Sequence, residues 1–112
     1  MRGSAYIALR AALNMNTAEV AELFSFSKRT VERRERASDV PLSVNEADLV
    51  FRIARTTDLA VEMIGDRHKG LTWMRRKNTA LGGAEPLATL RTEIGASEVE
   101  RVLTEIAYGG PA

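Results

Sequence analysis

The sequence predicts an all-α protein with about seven short to medium helices, an inference that rests on three observations. Apolar residues recur at steps of three and four, the spacing of one helix face. Alternating polar and apolar runs bounded by turn residues, which would predict strands, are nearly absent. Serine, threonine, aspartate, glycine and proline stand where these segments begin and end. With 112 residues and 45% hydrophobic content, the chain is long enough for one domain or two small lobes.

The first forty residues predict three helices. An apolar stripe indicates the first, and the segment 14–16 interrupts it. A second helix is expected from Thr17 to Phe24, and a third from Lys28 to about Arg36 after a tight turn in which Ser27 is a good N-cap. Residues 37–41 then predict a linker, because proline biases the residue before it away from helix. The stripe of the first helix consists of Ala5, Ala8, Leu9, Ala12 and Leu13.

The longest helix follows a capping-box pattern, in which Glu46 stands three residues after Ser43. Gly65 is placed to be its left-handed C-terminal cap. Asp66 then caps the next helix, expected from Arg67 to about Arg76. The apolar face of the long helix is formed by Leu49, Val50, Ile53, Ala54, Ala60, Met63 and Ile64.

The last third predicts a turn and two more helices. Gly82 and Gly83 punctuate the chain, and Pro86 suits the first position of a one- to two-turn helix through Leu90. Thr92 is the expected N-cap of the final helix, which ends at the segment Gly109-Gly110-Pro111. Its apolar stripe is Ala96, Val99, Val102, Leu103 and Ile106.

Composition excludes several classes of function. The chain has no cysteine, so a disulfide framework or a thiolate site is not expected, and its lone histidine, His68, predicts no metal site. No arrangement of side chains suggests a catalytic set, so we expect a protein that is not an enzyme and uses no cofactor. No apolar run approaches a membrane span, and Arg10 interrupts the only signal-peptide-like stretch, which predicts a cytoplasmic protein without membrane association.

The net charge of +1 hides two basic segments. Residues 1–40 contain seven Lys/Arg against five Asp/Glu, and residues 66–77 contain five against one. The segments between and after them are acidic. This pattern favours two specific basic patches over a general polycation.

The segment 17–36 has the helix-turn-helix pattern, two short helices joined by a three-residue turn, the second helix being basic. The small Ala21 suits a close helix crossing, and Phe24, Phe26 and Val31 would fix the crossing angle. The start of such a second helix enters the major groove of DNA. Nearest the base edges we expect Ser27, Lys28, Arg29 and Thr30, and nearest the phosphates Arg33, Arg34 and Arg36. The alternative is a solvated basic helix stabilised by its own pairs, Arg29–Glu32 and Glu32–Arg36.

The last third also contains candidates for a protein-binding surface. Trp73 is a potential interface anchor beside cationic residues, although it is about equally well explained as a core residue. The paired glycines allow positive φ and close approach of another backbone, although they are also explained as a simple turn. The candidate contacts are Trp73, Arg75, Arg76, Asn78, Leu81, Gly82, Gly83, Tyr108 and Gly109.

The order of these motifs resembles the Xre/MbcA/ParS antitoxins over about Thr17 to Gly109. The similarity lies in the run from Ser27 to Arg34, in Trp73, in the Ala-Leu-Gly-Gly turn at 80–83 with Pro86-Leu87 after it, and in the closing segment 95–109. The chain departs from the family at Lys77 and Thr79, where the family often has proline nearby, and at Glu85, where it often has threonine.

The resemblance implies a helix-turn-helix DNA-binding region at 1–40 and a small C-terminal helical toxin-binding domain at 41–112. It also implies partners: a cognate RES-domain toxin that consumes or transfers from NAD, covered at its active site, and operator DNA, bound by a homodimer within a larger complex. Two alternatives stay open. One is a stand-alone regulator that uses its C-terminal helices to dimerise, and the other is an interaction protein whose helix-turn-helix no longer binds DNA.

Overall fold

A computed structural model describes residues 2–109 and confirms the all-α class. Within these residues there are two isolated bridges but no strand, and no helix is both long enough and apolar enough to span a membrane. Two 3₁₀ helices lie at Thr79–Leu81 and Leu87–Arg91. The α-helices are α1 (Gly3–Ala12), α2 (Thr17–Phe24), α3 (Lys28–Arg36), α4 (Val44–Ile64), α5 (Arg67–Met74) and α6 (Glu93–Ala107).

Helices α2 and α3 have the predicted bounds, whereas the predicted buried face of α1 is wrong in part. Ala8 and Ala12 are exposed, and Tyr6, which lies outside the predicted stripe, is only 2% exposed. The reason is an aromatic contact, because the Tyr6 ring packs edge-on against Phe24 of α2 at 5.1 Å between centroids. A large ring buries more surface than the alanines that the spacing selected.

Helix α2 begins at a capping box that the sequence analysis treated only as an interruption. The Asn16 side chain accepts the backbone N–H of Glu19 at 2.8 Å, and the Glu19 side chain accepts the backbone N–H of Asn16 at 3.0 Å. The backbone N–H groups of Asn16 and Glu19 therefore each have an acceptor, which is the side chain of the other residue.

The chain divides into two compact units between Phe51 and Arg52, inside α4, later than the expected boundary at residue 40. The segment expected to be a linker is tied to the start of α1. The backbone N–H of Ser4 donates to the Ser38 carbonyl at 2.8 Å. The first two turns of α4 also belong to the first unit, whose core includes Leu13, Val20, Leu23, Val31 and Val50.

Two glycines set the close packing of the second unit. A Cβ on Gly70 of α5 would lie 2.8 Å from the Cα of Val61, and one on Gly95 of α6 would lie 1.8 Å from the carbonyl oxygen of Thr89. Both helices therefore approach a neighbouring backbone where only glycine fits. The buried apolar residues of this unit are Ile53, Ala60, Trp73, Met74, Leu87, Leu90, Ala96, Val99, Val102 and Leu103.

The predicted helix ends of the second unit are largely confirmed. Gly65 ends α4 with a φ of +83°, Asp66 accepts the backbone N–H of Lys69 at 2.8 Å, and Thr92 accepts that of Gly95 at 3.0 Å. Helix α5 ends at Met74, earlier than expected, and the helix after Pro86 is of the 3₁₀ type. Helix α6 ends at Ala107, while Gly110 and Pro111 of the predicted end lie outside the described residues.

Candidate DNA-binding and protein-binding surfaces

The N-terminal turn of α3 presents cations to solvent. Ser27 accepts the backbone N–H of Thr30 at 3.1 Å, which confirms it as the N-cap, and its hydroxyl lies 2.9 Å from the Thr30 hydroxyl. The first two residues of the helix, Lys28 and Arg29, are exposed. This turn therefore joins two positive side chains to the positive end of a helix dipole, which favours phosphate groups.

Helix α3 is held by the apolar residues that the sequence predicted. Val31 is fully buried and Ala21 is 8% exposed. The rings of Phe24 and Phe26 lie 5.8 Å apart. Ser25 takes the left-handed conformation, with a φ of +58°, at the turn position where many such motifs have glycine.

The sequence had suggested that Arg34 contacts phosphate, but in the structure its side chain is paired with Glu46. Its Nη2 lies 2.7 Å from Oε1 of Glu46, and its guanidinium lies 5.9 Å from the centroid of the Phe26 ring. The Glu46 side chain is only 7% exposed, and a buried carboxylate needs a cationic partner. Arg34 therefore ties α3 to the first turns of α4.

The remaining charges give α3 a cationic outer face. Glu35 pairs with Arg10 of α1, which removes one of the two acidic residues opposing the arginines. Within residues 2–109, no ion pair joins Glu32 to Arg29 or Arg36, so the pairs expected of a self-stabilised helix are absent. The exposed cations of this face are Lys28, Arg29, Arg33 and Arg36.

Trp73 serves both as a core residue and as part of a groove. It is 6% exposed, and it lines a surface groove of about 620 Å³ in the second unit. The groove runs along one face of α5 and is bordered by the end of α4 and by α6. From the sequence, His68 was weighed only as a metal ligand, and Lys69 and Thr72 were not predicted as site residues. The helical spacing of these residues to Trp73 is the signal that could have identified them. The lining residues are Ile64, His68, Lys69, Thr72, Trp73, Arg76 and Ile106.

Asn78, expected to contact a partner, is instead used to build the glycine turn. It is 7% exposed, its backbone N–H donates to the Ala84 carbonyl at 3.0 Å, and its carbonyl accepts the N–H of Gly83 at 2.9 Å. Gly82 and Gly83 have φ values of +69° and +84° and are exposed, with no atom within 4 Å of a Cβ built on either. Leu81 of the same turn is half-exposed. The glycine turn is therefore accessible and rigidly closed by the buried asparagine.

Arg75 is likewise engaged within the unit. Its Nε donates to Oε1 of Glu85 at 3.0 Å, and both side chains are half-buried. Glu85 thus fixes the glycine turn to the end of α5. Arg76 is exposed at the rim of the groove. After α6, Tyr108 is 86% exposed and Gly109 is exposed with a φ of +80°.

An ion-pair network missed in the sequence joins α4 to the start of α6. Glu93 lies 2.9 Å from Arg52 and 2.8 Å from Arg55, and Arg55 lies 3.3 Å from Glu100. The hydrogen bond from Arg55, followed by that from Arg52, lowers the pKa of Glu93 below its usual value. Spacing within one helix cannot predict these ion pairs, because the partners are far apart along the chain.

Two family models together cover most of the chain. The antitoxin Xre-like helix-turn-helix domain matches residues 3–55, and the antitoxin Xre/MbcA/ParS C-terminal toxin-binding domain matches residues 59–109. The first match contains α1, α2 and α3, with the cationic face. The second contains the groove, the glycine turn and α6.

Two curated relatives carry the name Antitoxin Xre. The protein from Pseudomonas putida (strain KT2440) is 37% identical over 82 residues, which are 72% of this chain and 50% of that protein. The protein from Yersinia enterocolitica (serotype O:8, biotype 1B) is 32% identical over 93 residues, which are 82% of this chain and 62% of that protein. The aligned part therefore spans only about half to three-fifths of the length of these relatives. With both domain types matched in the family's order, the chain belongs to the Xre/MbcA/ParS antitoxin family.

Proposed function

We propose that this protein is the antitoxin of a type II toxin–antitoxin system, neutralising a RES-type toxin by covering its active site and repressing its own operon. One observation carries the proposal: a helix-turn-helix unit with an exposed cationic helix precedes a unit that matches the toxin-binding domain of the family. This order supports a regulator with two separate binding surfaces. The toxin's use of NAD and the dimeric state follow from the family resemblance.

The DNA-binding half of the proposal rests on α3. Its outer face has four exposed cations. Glu35 of the same helix pairs with Arg10 of α1, so its negative charge does not offset theirs. Arg29 is exposed in the first turn of α3, and Arg33 is exposed one turn later on the same helix. We assign phosphate or base contacts to these two residues and a positioning role to Arg34, which orients α3 through Glu46.

Replacement of Arg29 and Arg33 by alanine tests this half. We expect a loss of operator affinity, and the slope of log affinity against log salt should shrink by about 0.9 for each phosphate contact removed. The matched control is Arg67→Ala, an exposed cation of the other unit. Absence of operator binding by the wild type would favour an interaction protein whose helix-turn-helix no longer binds DNA. Unchanged affinity in the double variant would remove Arg29 and Arg33 as DNA contacts.

The toxin-binding half is tested by co-expression with any RES-domain protein that an adjacent reading frame encodes. We expect growth to be restored and the two proteins to co-purify. A toxin that stays active and fails to co-purify would contradict the antitoxin assignment. It would favour the stand-alone regulator, which predicts only DNA binding, at half-sites roughly 34–36 Å apart.

The end of α6 offers a second test of the same half. Removing residues 108–112 takes away the exposed Tyr108 and leaves the buried stripe of α6 in place. Toxin inhibition should weaken more than the melting temperature falls, because Tyr108 is 86% exposed and Gly109 is also exposed. An equal loss of helicity and inhibition would argue for a structural role of the tail.

A further inference from the structure

The groove along α5 combines an apolar floor with a cationic rim. Ile64 and Ile106 line it together with the indole of Trp73, while His68, Lys69 and Arg76 supply the polar part. Among residues 2–109, no acidic residue lines it. Its volume of about 620 Å³ falls within the range of about 300–1,000 Å³ typical of ligand-binding clefts.

The cations of this rim have no ion-pair partner within residues 2–109. Lys69 and Arg76 are exposed, whereas most other arginines of the second unit are engaged with glutamates. The neighbouring acid, Asp66, accepts the backbone N–H of Lys69 through Oδ1. Two cations thus remain available at the groove, Lys69 on α5 and Arg76 two residues after that helix ends at Met74.

The indole N–H of Trp73 is a further available donor. In the described part of the chain this N–H has no hydrogen-bond acceptor. Its nitrogen is not among the fully buried unpaired atoms, so it keeps some accessible surface although the residue as a whole is only 6% exposed. A packed tryptophan with an accessible edge is rigid, so contacts to it lose little conformational entropy. Tryptophan is for this reason frequent among the residues that dominate interface energies.

We propose that this groove is where the toxin docks an acidic segment, with an apolar side chain seated on Trp73 and carboxylates at Lys69 and Arg76. The inference rests on the proposed function and assigns the partner's chemistry. Charge complementarity carries it, since the groove is cationic and none of the described residues that line it is acidic. The apolar floor of isoleucine and tryptophan favours a protein segment over a phosphate backbone, which would leave that surface uncovered.

The experiment measures binding of a cognate RES-domain toxin to this chain by calorimetry at two salt concentrations. The test variants are Lys69→Glu/Arg76→Glu, which reverses the rim, and Thr72→Trp, which fills the groove from an exposed position. The control is Arg67→Glu, which makes the same kind of charge change on α5 at a residue that does not line the groove.

We expect the double reversal to weaken toxin binding by about tenfold to hundredfold, in keeping with the cost of removing charge pairs at interfaces. Thr72→Trp should weaken it comparably, whereas Arg67→Glu should bind like the wild type. Wild-type affinity should fall as salt rises, and the double variant should lose much of that dependence. Circular dichroism and operator binding should stay unchanged in all three variants.

Several results would overturn the assignment. Wild-type toxin binding that is insensitive to salt, or equally tight binding by the groove variants, removes the groove as the docking site and leaves the antitoxin function intact. A changed oligomeric state with unchanged toxin binding would identify the occupant as a second copy. A loss of operator binding alone would identify it as DNA. Absence of toxin binding by the wild type would instead contradict the proposed function itself.

Discussion

Gly95 provides the sharpest test of how the second unit is packed. A Cβ at this position would lie 1.8 Å from the carbonyl oxygen of Thr89 and 2.9 Å from its carbonyl carbon. Ordinary contact would require the start of α6 to move by about 1.5 Å away from the 3₁₀ helix. The obstacle is backbone rather than a flexible side chain, so a rotamer change cannot relieve the clash.

The free-energy balance of Gly95→Ala follows from two opposing effects. Alanine gains about 1 kcal/mol of helix propensity over glycine. Overpacking against a fixed backbone costs about 3 kcal/mol, at the upper end of the usual range. We therefore expect a net loss of about 2 kcal/mol, which is roughly 8–16 °C in melting temperature for a domain of this size.

Thermal and urea unfolding followed by circular dichroism measure this loss. Ser97→Ala is the matched control, because residue 97 is exposed on the same helix and the change adds no volume. Its effect should stay within about 0.5 kcal/mol. A Gly95→Ala variant as stable as the wild type, or more stable, would refute the close approach of α6 to Thr89.

Three further predictions concern polar groups. Burial, together with the charge of Glu35, raises the pKa of Tyr6 to about 12, and its buried hydroxyl has no hydrogen-bond partner in the described part of the chain. Tyr6→Phe should therefore keep or raise the stability measured in urea, and a loss above about 1 kcal/mol would indicate a bonded hydroxyl. Glu46→Gln should cost about 1.5–3 kcal/mol, since it removes the charge facing Arg34, and it should also weaken operator binding; an unchanged urea midpoint would refute this. Glu93 has a lowered pKa through its two arginines, so its contribution is complete above its usual value of 4.5 and is lost as the pH falls through the folded-state pKa. The stability difference between the wild type and Glu93→Gln should accordingly shrink in acid, and a constant difference from pH 7 to pH 3 would contradict the ion pairs.

Helix ends can be predicted from the sequence more accurately than contact residues, for a physical reason. The caps at Ser27, Asp66, Gly65 and Thr92 depend on hydrogen bonds or backbone angles within a few residues. The residue types at these positions therefore predict them. The capping box at Asn16 has the same local origin and was missed only because the segment was interpreted as a break.

The burial of α1 and the fate of individual charges depended on tertiary contacts. Tyr6 replaces the predicted alanines in the core because Phe24 lies opposite it. Arg34 was predicted to contact phosphate because it lies on a basic helix, but it donates instead to Glu46, a buried residue twelve positions later. Spacing along one helix predicts the face on which a side chain lies. It does not predict which residue of another element will contact that side chain.

What the sequence alone determined was the all-α class, the order of the helices, the helix-turn-helix and the family. These depend on periodicity, capping residues and motif order, all of which are local or linear properties of the chain. The tertiary structure alone decided that Asn78 and Arg75 stabilise the glycine turn from within. It also decided that Lys69 and Arg76, beside Trp73, have no ion-pair partner within residues 2–109. Whether a charge is neutralised or offered to a partner depends on the residues that the fold brings opposite it, which no pattern of spacing contains.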